Sequence, residues 1–354
     1  MKFSTQILRL VDIDREKYKK DIKKAADLLR CGQVVAFPTE TVYGLGANAL
    51  NEEAIKRIFL AKGRPSDNPL IVHIAHRREL MPLVSSIPVW AIPLMEAFWP
   101  GPLTLIFPKS DRVPHVTTGD LATVAIRMPL HPMALDLIDC CGFPLAAPSA
   151  NLSGHPSPTT AEHVWHDMEG RIPLILDGGK AKIGLESTVL DLTGEVPILL
   201  RPGGVTQEML QDVIPEVQID PGVGQPLEEG RKVRSPGMKY RHYAPLAKVL
   251  ILSGALQKVK DKIRCLYDDY TALGKKVGIM ATGETWSYYG DRNSKVVGLR
   301  SEPATIAAGL FDCLRQFDHD GMDIILAEAI PACDIGMAIM NRLGRAAGFD
   351  IWEV

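Results

Sequence analysis

The sequence predicts an α/β protein in two units: a twisted, mixed-sheet domain, then a smaller, Rossmann-like parallel α/β domain, joined by a long linker. Three observations carry this. The chain has 354 residues, more than the ~250–300 at which single hydrophobic cores stop growing. Before Pro215 short apolar strands recur with helices between them but without strict alternation, whereas after Pro245 strand and helix alternate regularly. Between these stretches periodicity is lost, and Pro215, Pro221, Gly222, Gly224, Pro226, Gly230, Pro236 and Gly237 accumulate beside a basic run, Arg231 to Arg241. The boundaries read as 1–214, 215–246 and 247–354.

The elements follow in order. Glu16 to Leu29 places apolar residues at helical spacing and stops at Gly32. Val34 to Phe37 is a short buried strand that runs into a loop, Pro38 to Gly46. Asn51 caps a helix from Glu52 to Ala61, with Glu52 and Glu53 in its first turn. Gly63 and Pro65 end that helix, and an apolar strand from Leu70 to Ile74 begins just after. Further strands are expected at 103–107, 123–127, 144–148, 173–176, 187–191 and 196–200, and helices at 88–98, 131–141, 160–168 and 206–212. In the second unit the pattern predicts strands at 249–252, 277–280, 296–299 and 323–327, with helices at 255–273, 303–317 and 335–347.

Composition excludes several classes. Lys and Arg number 40 against 42 Asp and Glu, a formal net charge of -2, which argues against a protein built mainly to coat nucleic acid. The first twenty residues carry charges throughout, and no apolar run reaches membrane-spanning length. None of the 6 cysteines forms a CxxC pair. They read as thiols of a reducing cytoplasm, and no metal ligand is assigned.

The stretch Lys62-Gly63-Arg64-Pro65 places two cations on a stiff connection between packed elements, where sites tend to be built. Two fixed cations suit phosphate or carboxylate. Arg127 closes the strand 123–127, and Arg201 stands beside a Pro-Gly turn, so three arginines occupy element ends. Thr39, Glu40, Thr41 and Tyr43 offer polar groups at a sheet edge. Ser149 and Asn151 share a strand face, and His73 shares one with Ile71. Gly44-x-Gly46-x-x-Ala49 fits a dinucleotide fingerprint poorly, because Pro38 to Tyr43 intervenes after the strand, and no Walker-type loop occurs. Cations without an obvious nucleophile suit phosphoryl or nucleotidyl transfer, where positioning and charge stabilisation do most of the catalysis.

Lys62 and Arg64 as KxR, with Ser149 and Asn151 as SxN, resemble the signature tetrad of the YrdC-like threonylcarbamoyl-AMP synthases. PTETVYGLG, KGRPSDNPLIVH, APSANLSG, ESTV and RPG are similar to family segments in the family's order, and Ser235 to Pro245 resembles the linker of the long, two-domain form. The resemblance implies that L-threonine, bicarbonate and ATP are joined into L-threonylcarbamoyl-adenylate and pyrophosphate. The product then passes to a transferase complex that modifies position 37 of tRNA; direct tRNA binding is not implied. It implies a threonine site of Thr41, His73, Arg127, Ala147 (through its backbone) and Ser187, and an ATP site of Arg64, Asn68, Thr123, Ser149, Asn151, Ser157, Arg201, His242 and Tyr243. Lys62 and Arg64 would act on phosphate or carbamate, with Mg2+ accompanying ATP. Two rivals stay open on residues alone: an RNA-binding module without catalysis, and a carbamoyl transferase or hydrogenase-maturation factor sharing the first domain.

Overall fold

The computed structural model describes residues 3–225 and 243–354. Eleven strands form the first sheet: β1 (Gln6–Arg9), β2 (Val35–Phe37), β3 (Gly44–Asn48), β4 (Ile71–His73), β5 (Leu103–Pro108), β6 (Thr123–Arg127), β7 (Leu145–Ala146), β8 (Leu174–Asp177), β9 (Thr188–Asp191), β10 (Ile198–Arg201) and β11 (Gln218–Ile219). Their order across the sheet is β1-β8-β2-β3-β7-β4-β6-β5-β9-β10-β11, with parallel and antiparallel neighbours mixed. The second sheet has five strands, β12 (Lys248–Ser253), β13 (Val277–Ala281), β14 (Ser294–Val296), β15 (Ile324–Glu328) and β16 (Ile351–Glu353). Its order is β14-β13-β15-β12-β16, and every pair is parallel. The expected class, a mixed sheet followed by a smaller parallel one, is the class observed.

Four strands lie outside the sequence expectation. β11, in the segment read as linker, pairs parallel with β10 through two exposed residues, Gln218 and Ile219, too short a run to stand out beside the surrounding Pro and Gly. Gly44 to Gly46, read as loop, belongs to β3 and pairs antiparallel with β2. Glycine has little intrinsic strand preference. Here packing decides: a Cβ on Gly46 would lie 2.7 Å from the Phe37 ring. β1 and β16 are edge strands with mostly exposed side chains, so neither leaves an apolar run to read. The strand expected at 296–299 instead ends at Val296. Beyond it Gly298 approaches the backbone of the next helix, Pro303–His319, too closely for any side chain.

The units meet along a tight seam. Gly184 adopts φ +77, and a Cβ there would lie 2.5 Å from Ala308 Cα of that helix. Val42 and Leu185 pack into the apolar cluster of the second unit, with Phe311, Ile306 and Ala307. Ion pairs run across the seam from Arg315 to Asp167 at 2.8 Å, and from Asp312 to Lys180 at 3.0 Å and His163 at 3.2 Å.

Candidate active site

Parallel pairing of β4 with β6 sets His73 opposite Arg127, and antiparallel pairing of β4 with β7 brings up the chain that leads into Ala147. These ends open into a cleft of about 660 Å³, counting the solvent at its mouth. Among the expected residues, Thr41, Arg64, His73, Arg127, Ala147, Ser149, Asn151, Ser187, Arg201 and Tyr243 line it. Three lining arginines face one lining carboxylate, Glu186. Among the described residues the cleft is therefore electropositive, as an anion site requires.

Arg127 is almost wholly buried. It forms an ion pair with Glu40 at 2.6 Å, and it donates to Thr41 Oγ1 at 2.8 Å and to the Gly101 carbonyl at 3.2 Å. A guanidinium has five N–H donors, so these three partners aim the fork and leave donors for a ligand. Burial, and then the Arg127 charge, lower the His73 imidazole to about 3, which keeps it neutral near pH 7. Its Nδ1 lies 3.2 Å from the Ile71 carbonyl, and Phe37 meets it edge-on with ring centroids 6.4 Å apart. Ser187 Oγ lies 2.8 Å from Thr104 Oγ1 and accepts from Arg201 Nη2 at 3.1 Å. Arg201 Nε also donates to the Ser187 carbonyl at 3.0 Å, so Arg201 and Ser187 are presented as one unit.

Four expected residues are not part of the lining. The Lys62 amine sits under the Ser149–Asn151 segment, donating to the Ser149 carbonyl and, at 2.6 Å, to the Asn151 carbonyl. Burial, reinforced by the Arg64 charge, pushes that amine well below its ordinary value. Ser157 is wholly buried and donates its hydroxyl to Glu186 Oε1. Thr123 opens β6, on the strand face that also carries Ala125 and Arg127. Asn68 is wholly buried, and neither end of its amide finds a partner among the described residues. Tyr43, counted among the polar groups, turns away and donates to the Gly179 carbonyl at 2.7 Å. His242 lies outside the described residues. Its neighbour Tyr243 holds φ +64, with its ring 5.3 Å from that of Phe311.

Residues 27–203 match the Sua5–YciO–YrdC family profile, described as telomere recombination, and residues 205–348 match the threonylcarbamoyl-AMP synthase C-terminal domain. The chain belongs to the threonylcarbamoyl-AMP synthase family. Threonylcarbamoyl-AMP synthases of Bacillus subtilis and Pyrococcus abyssi are each 52% identical to it, over 96% and 94% of this chain and 96% of either relative. The crystal structure of P. abyssi Sua5 complexed with L-threonine superposes with TM-score 0.92 at 49% identity, covering 99% of both chains. The two-domain synthase family thus includes both units seen here, the mixed sheet and the parallel one.

Sequence reasoning gave no role to three residues that build this cleft, Thr104, Glu186 and Arg342, and read Glu40 only as one of several polar groups at a sheet edge. Glu40 and Glu186 stood inside quoted motifs, PTETVYGLG and ESTV. A carboxylate among apolar and hydroxyl residues is a signal, because buried carboxylates are paired. Their partners, Arg127 and Arg342, lie 87 and 156 residues along the chain (127 − 40; 342 − 186) and leave no local trace.

Proposed function

We propose that this cleft joins L-threonine, bicarbonate and ATP into L-threonylcarbamoyl-adenylate and pyrophosphate, the first step of threonylcarbamoyladenosine formation at position 37 of tRNA. The observation that carries the reading is the convergence of Arg64, Arg127 and Arg201 with the Thr41, Ser149 and Ser187 hydroxyls in one cleft. In this reading Arg127, aimed by Glu40 and Thr41, receives the threonine carboxylate, while Thr41, Ser187, neutral His73 and the Ala147 backbone hold the rest of the amino acid. Arg64, Arg201, Ser149, Asn151, Tyr243 and His242 serve ATP, with Asn68, Thr123 and Ser157 supporting that side. The threonine amine bonds to the carbon of carbon dioxide, released from bicarbonate, and loses a proton to give a carbamate. A carbamate oxygen then attacks the α-phosphorus. The bond from that phosphorus to the bridging oxygen breaks, and pyrophosphate leaves with the electron pair.

Magnesium bound to the β- and γ-phosphates would neutralise the leaving group. Glu40 is held by Arg127 and Glu186 by Arg342, and no cluster of three metal-ligating side chains occurs among the described residues. The residues therefore fit an ion carried by the nucleotide, which suits magnesium's habit of binding through substrate phosphates. The carbamate-adenylate hydrolyses readily, so the site must exclude water, and the buried Tyr243 supplies an aromatic wall of the lining.

The proposal includes the division into a catalytic domain 1–214, a linker 215–246 and a C-terminal domain 247–354, a cytoplasmic location, and handover of the product to a separate transferase complex. No helix among the described residues is long and apolar enough to cross a membrane. ATP–pyrophosphate exchange is the test. Exchange that needs threonine and bicarbonate together is expected, and exchange independent of either would remove the reading.

A further inference from the structure

The helix Ile335–Ala346 belongs to the five-stranded unit, yet one of its side chains ends beneath the cleft. Arg342 is 0% exposed. Its Nε donates to Glu186 Oε2 at 2.7 Å, and its Nη2 donates to the Pro202 carbonyl at 2.9 Å and to the Glu186 carbonyl at 3.4 Å. Its Nη1 donates to Asn341 Oδ1 at 2.7 Å, and the Tyr243 ring lies over the guanidinium at 5.6 Å.

Glu186 directly precedes Ser187, and Pro202 directly follows Arg201. One guanidinium therefore clamps both segments that present Ser187 and Arg201. It also faces Glu186, the one carboxylate of the lining among the described residues. Left alone, that carboxylate would set a negative charge beside a site built for anions.

We propose that Arg342 is a positioning residue of the synthase reaction: reaching from the second unit, it cancels the Glu186 charge and holds Ser187 and Arg201 in register, so the five-stranded unit completes the site. This rests on the reading above.

The test uses the full chain and measures pyrophosphate release with ATP and threonine varied separately, well below each variant's unfolding midpoint. Arg342→Met is expected to lower kcat/KM for ATP by about tenfold or more, the scale of a lost charge-assisted hydrogen bond. Adding Glu186→Gln should recover several-fold, because the uncancelled charge is then gone. Asp312→Ala, which cuts the His163 and Lys180 pairs on the same seam, should leave kcat/KM for ATP unchanged. A merely structural Arg342 would predict no rescue and equal losses from both seam variants. Wild-type kcat/KM for ATP in Arg342→Met, a double variant no better than the single one, or an equal loss in Asp312→Ala would each overturn the proposal. If Arg342→Met does not fold, Arg342→Lys decides. It keeps the charge but loses the fork, and a several-fold rise in KM for ATP supports the proposal while an unchanged KM overturns it. Wild-type protein that needs neither threonine nor bicarbonate would instead remove the reaction assigned above, an outcome distinct from all of these.

Discussion

Replacing Lys62 with Met keeps the stem and removes the amine. Two backbone carbonyls, those of Ser149 and Asn151, then lose their donor, and the Asn151 side-chain oxygen loses a longer contact of 3.3 Å. A buried acceptor left unsatisfied costs ~1–3 kcal/mol, so two amount to about 2–6 kcal/mol. Relief from burying a cation offsets part of this. A net loss of about 1–4 kcal/mol remains. Because Ser149 and Asn151 line the cleft, the damage reaches the site through backbone position. Calorimetric unfolding and pyrophosphate release, measured on one preparation, should fall together. Arg64→Met, whose head lines the cleft, should lose activity with a much smaller change in Tm. If Lys62→Met unfolds at the wild-type temperature while activity is lost, the bracing argument is refuted and the amine acts on substrate directly.

Other outcomes follow from the same contacts. Arg127→Ala should weaken threonine binding by at least ~1.5–3 kcal/mol in titration calorimetry, and Glu40→Gln in the same chain should recover stability but not threonine affinity. Asn68→Ala should cost no fold stability in denaturant melts, since its buried amide has no partner among the described residues, and should weaken ATP binding; the reverse pattern would make Asn68 a packing residue. Burial alone would raise the Asp167 carboxyl, but the neighbouring His155 ring, 3.7 Å away, and the hydrogen-bonded Arg315 guanidinium outweigh it and hold it far below the usual carboxylate range. Its stabilisation is therefore full above the unfolded value of ~4 and drains as pH falls through the lower folded value. Acid titration of Arg315→Met should show a weaker loss of stability below pH ~4. Serine should be a poor but detectable substrate, since one methyl in an apolar pocket is worth about 1–3 kcal/mol; equal turnover at limiting concentration would count against such a pocket.

Local chemistry was enough for much of this molecule. Asn51 accepts from the Ala54 amide at 3.0 Å, and Gly63 closes the same helix at φ +61, so both helix ends lay where capping residues stood. Strands carrying apolar runs, such as Leu103–Pro108 and Thr123–Arg127, were legible because burial on both faces leaves a continuous apolar signature. The site residues could be named because long motifs carry them. What the sequence by itself determined is thus the class of both units and most of their elements, set by interactions within a few positions along the chain, together with the cleft residues that its motifs name. Only the tertiary structure decided which charges meet. It put Lys62 beneath the cleft, joined Glu40 to Arg127, and sent Arg342 from one unit to Glu186 of the other. Such pairs form between segments far apart in sequence, and their energy depends on burial and distance, which appear only after the sheets have packed.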